Sequence, residues 1–349
     1  MSESNMGKTA DVDSSADASV DTALDIVTIG ETMLRLSPPP GVRITQANEF
    51  DVHVGGAESN VAAVASQLGC QTGWISKLPA SPLGRRITTA LQSYDVELDI
   101  IWDHDDDGRV GTYYFEPGGK PRGDTVQYDR AGSSVTTLTT AEISLEMIKS
   151  ASICYVSGIT PALSETLQTT VETVLQIAQS AGTKTAFDLN YRSKLWNTTM
   201  AKNAYQSLLP DVDILIGAER DVNTCLDRSA DPESIVRDLA STFNLETVIL
   251  TRGKNGVVAL SNDTVFEQPV YDAKTIDAVG TGDAFVGGFL TQKLNDGHNG
   301  TTCSSIEHAL ATGAATAALK RTIKGDIAAI TPAEVAAVRD TDTTEGISR

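Results

Sequence analysis

Short β-branched runs alternate along most of this chain with longer stretches of helical periodicity. Asp25-Ile26-Val27-Thr28-Ile29-Gly30-Glu31 is such a run closed by glycine, which predicts a buried strand emptying into a functional loop. Gly55-Gly56-Ala57-Glu58-Ser59-Asn60-Val61-Ala62 opens a small-residue helix that Gly69 should stop, and Thr72-Gly73-Trp74-Ile75-Ser76 reads as the next strand. Further on the order becomes regular: strands at 153–156, 185–188, 214–216 and 247–250 are interleaved with helices near 164–181, after Gly282 and near 305–320. This predicts an α/β protein built from right-handed βαβ units around a mainly parallel sheet, with ligands at the carboxyl ends of the strands.

The stretch from 100 to 131 follows another pattern. Ile100-Ile101-Trp102, Gly111-Thr112-Tyr113-Tyr114-Phe115 and Thr125-Val126-Gln127-Tyr128 are separated by Gly, Pro and Asp, which predicts antiparallel strands. Together with a segment at 36–56 they are expected to form a small β lid over the open sheet. Asp103-x-Asp105-x-Asp107-Gly108 begins like a calcium-binding loop, but the twelfth position is Tyr114 where a bidentate Glu is required. A solvated hairpin turn is expected there instead.

Composition narrows the possible functions. The 349 residues suffice for one large α/β domain, expected at 24–331 between a flexible acidic tail at 1–23 and a polar tail at 332–349. A formal net charge of −19 and a pI near 4.5 argue against nucleic acid or an anionic membrane as partner, and favour a small molecule. The 46 acidic residues, set against 27 basic ones, are spread along the chain, a pattern that keeps a protein hydrated in concentrated salt and points to a halophilic cytoplasm. Cys70, Cys154, Cys225 and Cys303 are far apart and form no CxxC pair, so core thiols are expected in place of disulfides or a zinc site. No apolar run is long enough to span a bilayer and the N-terminus is acidic, so a soluble cytoplasmic protein is expected.

The chemistry is concentrated in Asp277-Ala278-Val279-Gly280-Thr281-Gly282-Asp283-Ala284-Phe285. Two glycines let backbone approach a ligand, and the apolar run that follows starts a helix whose first-turn N–H groups and dipole attract a phosphate. Asp283 then stands where an acceptor hydroxyl could arrive and could take its proton as the γ-phosphate is attacked. A glycine-rich turn with an Asp cap is the plainer alternative. No Gly-Lys-Ser/Thr follows, so this is not a Walker A loop.

Asp277-x-x-Gly280-x-Gly282-Asp283 resembles the C-terminal motif of the ribokinase-like (PfkB) sugar kinases, and Gly55-Gly56 resembles their N-terminal element. The resemblance spans about residues 25–331. Within the family it is nearest to 2-keto-3-deoxygluconate kinases, through Gly56-Ala57-Glu58-Ser59-Asn60-Val61-Ala62, Ser157-Gly158-Ile159-Thr160-Pro161-Ala162-Leu163 and Asp188-Leu189-Asn190-Tyr191-Arg192. It implies a ribokinase-like fold, with helices flanking the sheet and a β lid. It also implies ATP-dependent phosphorylation of a sugar acid to its 6-phospho product, in a modified Entner-Doudoroff catabolism. Asp283 would be the base, with Gly280, Thr281 and Gly282 forming the anion hole.

By the same resemblance the substrate would touch Gly56, Asn60, Tyr113, Tyr128, Arg130, Ile159 and Arg192. An arginine fork suits a carboxylate, and tyrosine hydroxyls suit a polyol. Cross-strand packing is the alternative for the tyrosines, and a surface lid position for Arg130. ATP would meet Asn190, Arg192, Thr251, Gly253, Gly256, Gly280 and Gly282, with its adenine near 308–316; Lys254 reads as a solvated turn residue. Mg²⁺ would bridge phosphate oxygens and keep its waters. The chain departs from the family here: Ala218-Glu219-Arg220-Asp221 stands where many relatives have Asn-x-x-Glu. Asp221 is the candidate near the metal waters, Glu219 an alternative, and Asp188 is expected to shape the cleft through backbone hydrogen bonds. A homo-oligomer formed through the lid is expected. A kinase of a neutral sugar such as fructose or ribose, the galacto epimer as substrate, and a nucleotide-binding regulator without turnover remain alternatives.

Overall fold

The computed structural model describes residues 23–298 and 304–340. The expected tail at 1–23 and Cys303 therefore lie outside the described residues, apart from residue 23. In chain order the first half runs β1 (Ile26–Ile29), β2 (Met33–Ser37), β3 (Asp51–Gly55), α1 (Ala57–Gln67), β4 (Thr72–Pro79), α2 (Pro82–Gln92), β5 (Glu97–Asp103), β6 (Thr112–Glu116), β7 (Thr125–Asp129), α3 (Leu145–Ser150), β8 (Ile153–Ser157) and α4 (Glu165–Ala181). The second half continues with β9 (Lys184–Asp188), α5 (Thr198–Leu208), β10 (Ile214–Ala218), α6 (Glu219–Cys225), α7 (Pro232–Phe243), β11 (Thr247–Thr251), β12 (Val257–Ser261), β13 (Thr264–Gln268), α8 (Thr281–His298), α9 (Ser304–Lys320) and α10 (Pro332–Asp340).

Nine strands form one sheet in the order β13-β12-β11-β10-β9-β8-β1-β4-β5. From β11 to β5 every ladder is parallel, and only the β11–β12 and β12–β13 ladders are antiparallel. Strands β1 and β8 are buried at every residue, as parallel strands covered by helices on both faces must be. One face packs against α4, α5 and α7 and the other against α8 and α9. The chain leaves β1 toward β4 and β5 on one side and returns at β8 to build the other. The carboxyl ends of β1 and β8 therefore flank a topological switch point, where open sheets hold their ligands.

Helix α8 lies tightly against its neighbours. A Cβ on Gly287 would come within 2.7 Å of Val64 Cγ1, and one on Gly288 within 2.5 Å of Thr316 Oγ1. These glycines cost helix propensity, roughly 1 kcal/mol each. They let α8 pack closely against α1 and α9, and that packing fixes where its N-terminus points.

The small sheet has the order β3-β2-β6-β7, with β2 and β6 parallel and the outer ladders antiparallel. The strand expected at Ile100-Ile101-Trp102 is not part of it. β5 pairs parallel with β4 through seven residues and closes the edge of the large sheet, because the turn after α2 brings it back along β4. The loop from Asp103 to Gly108 therefore joins two sheets and is not a hairpin; Asp105 N–H donates to Asp103 Oδ1 at 3.1 Å. The lid gains instead β2, beginning at Met33, earlier than expected. The polar tail expected from 332 is corrected as well: residues 332–340 form α10, whose Val335 is buried against Val64, Ala284 and Ala315. Cys70, Cys154 and Cys225 are free and buried. No helix among the described residues is long and apolar enough to cross a membrane.

Candidate active site

The Gly280–Asp283 turn lies at the carboxyl edge of the large sheet, beneath the small one. Gly280 has φ +79°, and a Cβ there would sit 1.9 Å from the carbonyl oxygen of Asp326, so glycine is required on both counts. A Cβ on Gly282 would meet nothing within 4 Å and would project into open space. Thr281 N–H reaches Ala278 O and Ala284 N–H reaches Gly280 O, whereas the N–H groups of Gly282 and Asp283 belong to the first turn of α8, which has no acceptors inside the helix. N–H groups left free at a helix start in this way can hold an anion.

Asp283 is half-buried, and Asn60 Nδ2 donates to its Oδ2 at 2.7 Å. Desolvation pushes its carboxyl up to about 7; Glu58 and Asp326 add to the rise, and the Asn60 bond and Arg192 oppose it. Such a group changes protonation near neutrality, as a general base must. Asp188, at the end of β9, is likewise raised to about 7, by burial first and then by Asp283 and Asp221.

A cavity of about 420 Å³ opens in front of Asp283. Its wall brings together Gly56, Asn60, Tyr113, Tyr128, Arg130, Ile159, Arg192 and Asp283, together with Asn190, Asp221, Thr251, Gly280, Thr281 and Gly282. Gly253 and Gly256 lie apart, in an adjoining cavity of about 640 Å³ that shares Thr251, Ala278, Thr281 and Gly282 with the first. That second cavity is walled by Val257, Phe285, Ala314, Ala317 and Ala318, apolar side chains suited to a flat heterocycle, and Lys254 lines it too. The two spaces therefore meet over the anion-site turn.

The two arginines differ in kind. Arg130 is buried and its Nη2 donates to Glu31, whose other oxygen accepts from Ser133 Oγ at 2.5 Å. Its charge is thus already matched from within, and its burial rules out the surface lid position. Arg192 is half-buried on the same wall, and its guanidinium makes no hydrogen bond or ion pair among the described residues. Tyr113 is also committed, its hydroxyl donating to Asp326, while its ring lies 5.7 Å from that of Tyr128.

Contacts between distant residues, unreadable in the sequence, organise the site, and Arg35 gave no signal of its own. Glu58, fully buried in α1, accepts from Ser157 N–H at 3.0 Å and from the hydroxyls of Ser157 and Thr160 at 2.7 Å each. Two of the motifs quoted for the resemblance therefore clasp each other across the switch point and hold Asn60 and Ile159 in place. Arg35 of β2 is buried and bonds Asp277 Oδ2 at 2.8 Å and Asp326 Oδ1 at 3.0 Å, with its guanidinium 4.2 Å from the Phe115 ring centroid. Asp277 thus anchors the turn to the lid and does not face the cavity opening. Asp221 is mostly buried, pairs with Arg220 Nε at 3.2 Å, and has its pKa raised by burial. Asp188 and Asp221 face one cavity with hard oxygen donors whose charge lacks full compensation, a set that fits a hydrated divalent ion. Among the described residues no group of three or more His, Cys, Asp or Glu side chains forms a protein cage for a metal.

Known proteins share the sequence and the fold. Residues 23–333 match the family model described as pfkB family carbohydrate kinase. A 2-dehydro-3-deoxygalactonokinase of Haloferax volcanii is 52% identical over 311 residues, covering 89% of this chain and 95% of that protein. Its source accords with the halophilic character read from the charge. The crystal structure of a 2-dehydro-3-deoxygluconokinase from Thermotoga maritima superposes with a TM-score of 0.85 at 31% identity, over 91% of this chain and 98% of that one. A ribokinase II from E. coli, solved with ATP and Mg²⁺, shares the fold at a TM-score of 0.80 and 19% identity, over 91% and 99% of the two chains. With its ribokinase-like architecture, its anion-site turn and a family match over almost all its described residues, the chain belongs to the pfkB family of ATP-using carbohydrate kinases.

Proposed function

We propose that this kinase transfers the γ-phosphoryl group of ATP to the terminal hydroxyl of 2-keto-3-deoxygluconate, giving the 6-phospho product. The observation that carries the reading is Arg192, an uncommitted guanidinium on the wall of the cavity that holds Asp283. The guanidinium lies within electrostatic reach of Asp188, Asp221 and Asp283 but makes no bidentate pair with them; a neutral sugar would leave its fork unfilled, whereas a carboxylate accepts two parallel hydrogen bonds from it. Arg130, held by Glu31, shapes the pocket and stacks near Tyr128 at 5.6 Å. With the acid end on Arg192, the far hydroxyl reaches Asp283, which takes its proton while the N–H groups of Gly282 and Asp283 receive the charge developing on the transferred group.

ATP lies across the two joined cavities, its base among the apolar residues of the larger one and its phosphates at the 280–283 turn. Asp188 and Asp221 would hold Mg²⁺ through its waters; when bound, the ion neutralises phosphate oxygens. The galacto epimer is the second reading, favoured by the name of the Haloferax volcanii relative. Self-association through the lid, in the cytoplasm, is part of the proposal: the outer strands β3 and β7 leave ladder edges free. Light scattering of the purified protein measures it, and a monomer would remove that part.

The test is ATP- and Mg²⁺-dependent ADP release in molar KCl with 2-keto-3-deoxygluconate, its galacto epimer, gluconate, fructose and ribose offered separately. A kcat/KM for one or both keto-deoxy acids at least 100-fold above the neutral sugars is expected. Preference for fructose or ribose would overturn the substrate assignment while leaving the base in place.

A further inference from the structure

Behind the anion-site turn lies a fully buried lysine that the mechanism above does not use. Lys320 is the last residue of α9 and is 0% exposed. Its Nζ donates to the carbonyl oxygens of Asp277 at 3.3 Å and Ile323 at 3.4 Å. Burying an ammonium group is costly unless it is bonded and balanced, so its presence here calls for a physical reason.

The surrounding charges supply one. Two buried acidic residues, Asp277 and Asp326, flank the turn. Asp277 accepts from Val279 N–H at 3.0 Å and Gly325 N–H at 3.2 Å, and the backbone oxygen of Asp326 packs against Gly280. Arg35 bonds both carboxylates and can neutralise only one. Without Lys320, carboxylates would outnumber cations behind the turn that must receive a γ-phosphate. Burial pulls the Lys320 pKa down, and Asp277 and Asp326 oppose that pull.

We infer that Lys320 is a positioning residue for phosphoryl transfer. Its tethered ammonium cancels the excess carboxylate charge behind Gly280–Asp283, and it pins Asp277 to Ile323 so that the first-turn N–H groups stay aimed at the transferring group. Lys320 does not touch substrate; it acts through the turn. The inference rests on the kinase reading but not on which sugar acid is used, because any accepted sugar reports it.

The experiment compares the full-length enzyme with Lys320→Met and Lys320→Gln, which keep the volume of the stem and remove the charge, and with Lys320→Ala, which opens a cavity. In molar NaCl at fixed ionic strength, Met and Gln should melt close to wild type and keep the sugar KM within about threefold, while kcat falls about 100-fold, as when one anion-stabilising contact is lost. Lys320→Ala should regain fold or turnover saturably with methylammonium and not with tetramethylammonium, which is too large for the space. A folded Met or Gln variant with kcat within threefold of wild type would overturn the inference. So would a loss carried by KM alone, or a Lys320→Ala variant that methylammonium restores in neither fold nor turnover. If wild type turns over no sugar at all, it is the functional reading that fails.

Discussion

Replacing Asp283 by Asn should make the protein more stable while nearly abolishing its turnover. The carboxyl titrates at about 7 in the folded protein against an ordinary value of 3.8, a difference of about three units. At about 1.36 kcal/mol per unit, ionising Asp283 costs the folded state roughly 4 kcal/mol once the pH exceeds both values. Water at the cavity mouth and coupling to Asp188 reduce that, so a gain of about 2 kcal/mol is expected, or roughly 3 °C in Tm for a domain of this size. The Asn60 contact survives, since an amide oxygen can accept from Nδ2 as the carboxylate does at 2.7 Å.

The sign follows from proton counts. Between about pH 4 and 7 the folded wild type holds a proton that the unfolded chain has lost, so its stability falls as pH rises and levels off above 7. An asparagine does not titrate, and the gap between the two proteins should open across that window. Thermal melts in molar KCl from pH 4.5 to 9 measure it. An Asn variant less stable than wild type at pH 8, or a gap that does not change with pH, would refute a desolvated base. In the same variant kcat should fall about 10²–10⁴-fold, with ATP affinity nearly unchanged by calorimetry.

Three further outcomes are expected. In the wild type, kcat should rise about tenfold per pH unit below about 7 and level above it, because only the ionised Asp283 accepts the proton; a flat profile from pH 5.5 to 8 would exclude that role. Arg192→Ala should raise KM for the sugar acid about 10²-fold and erase the preference for acids over neutral sugars, with Arg192→Lys recovering only part because the fork is lost; steady-state kinetics on both sugar classes decide this. Gly280→Ala should fold poorly, given φ +79° and a carbonyl 1.9 Å from the added carbon, whereas Gly282→Ala should melt like wild type yet lose phosphate affinity, since its methyl enters open space at the anion site; circular dichroism melts and ATP titration separate the two.

The local parts of this protein could be read from its residues. β-branched runs and helical periods depend on neighbours a few positions away, so the strands at 153–156, 185–188, 214–216 and 247–250 and the helix at 164–181 are found where the pattern put them. The Gly280-x-Gly282-Asp283 turn was readable for the same reason: its positive φ, its open face and its helix start are properties of consecutive residues.

Which sheet a strand joins is not a local property. Ile100-Ile101-Trp102 has the composition of a lid strand, and only its ladder with β4 assigns it to the large sheet. The electrostatics of the site were equally hidden. Arg35 meets Asp326 across 291 positions, Arg130 meets Glu31 across 99, and Asn60 meets Asp283 across 223. A charged residue in a sequence carries no mark of its partner. The tertiary structure therefore decided that Arg130 is already paired with Glu31, that the Arg192 guanidinium makes no such pair among the described residues, and that Lys320 stands behind the Gly280–Asp283 turn. Burial and pairing set the strength of each charge, and both arise only when distant segments pack together.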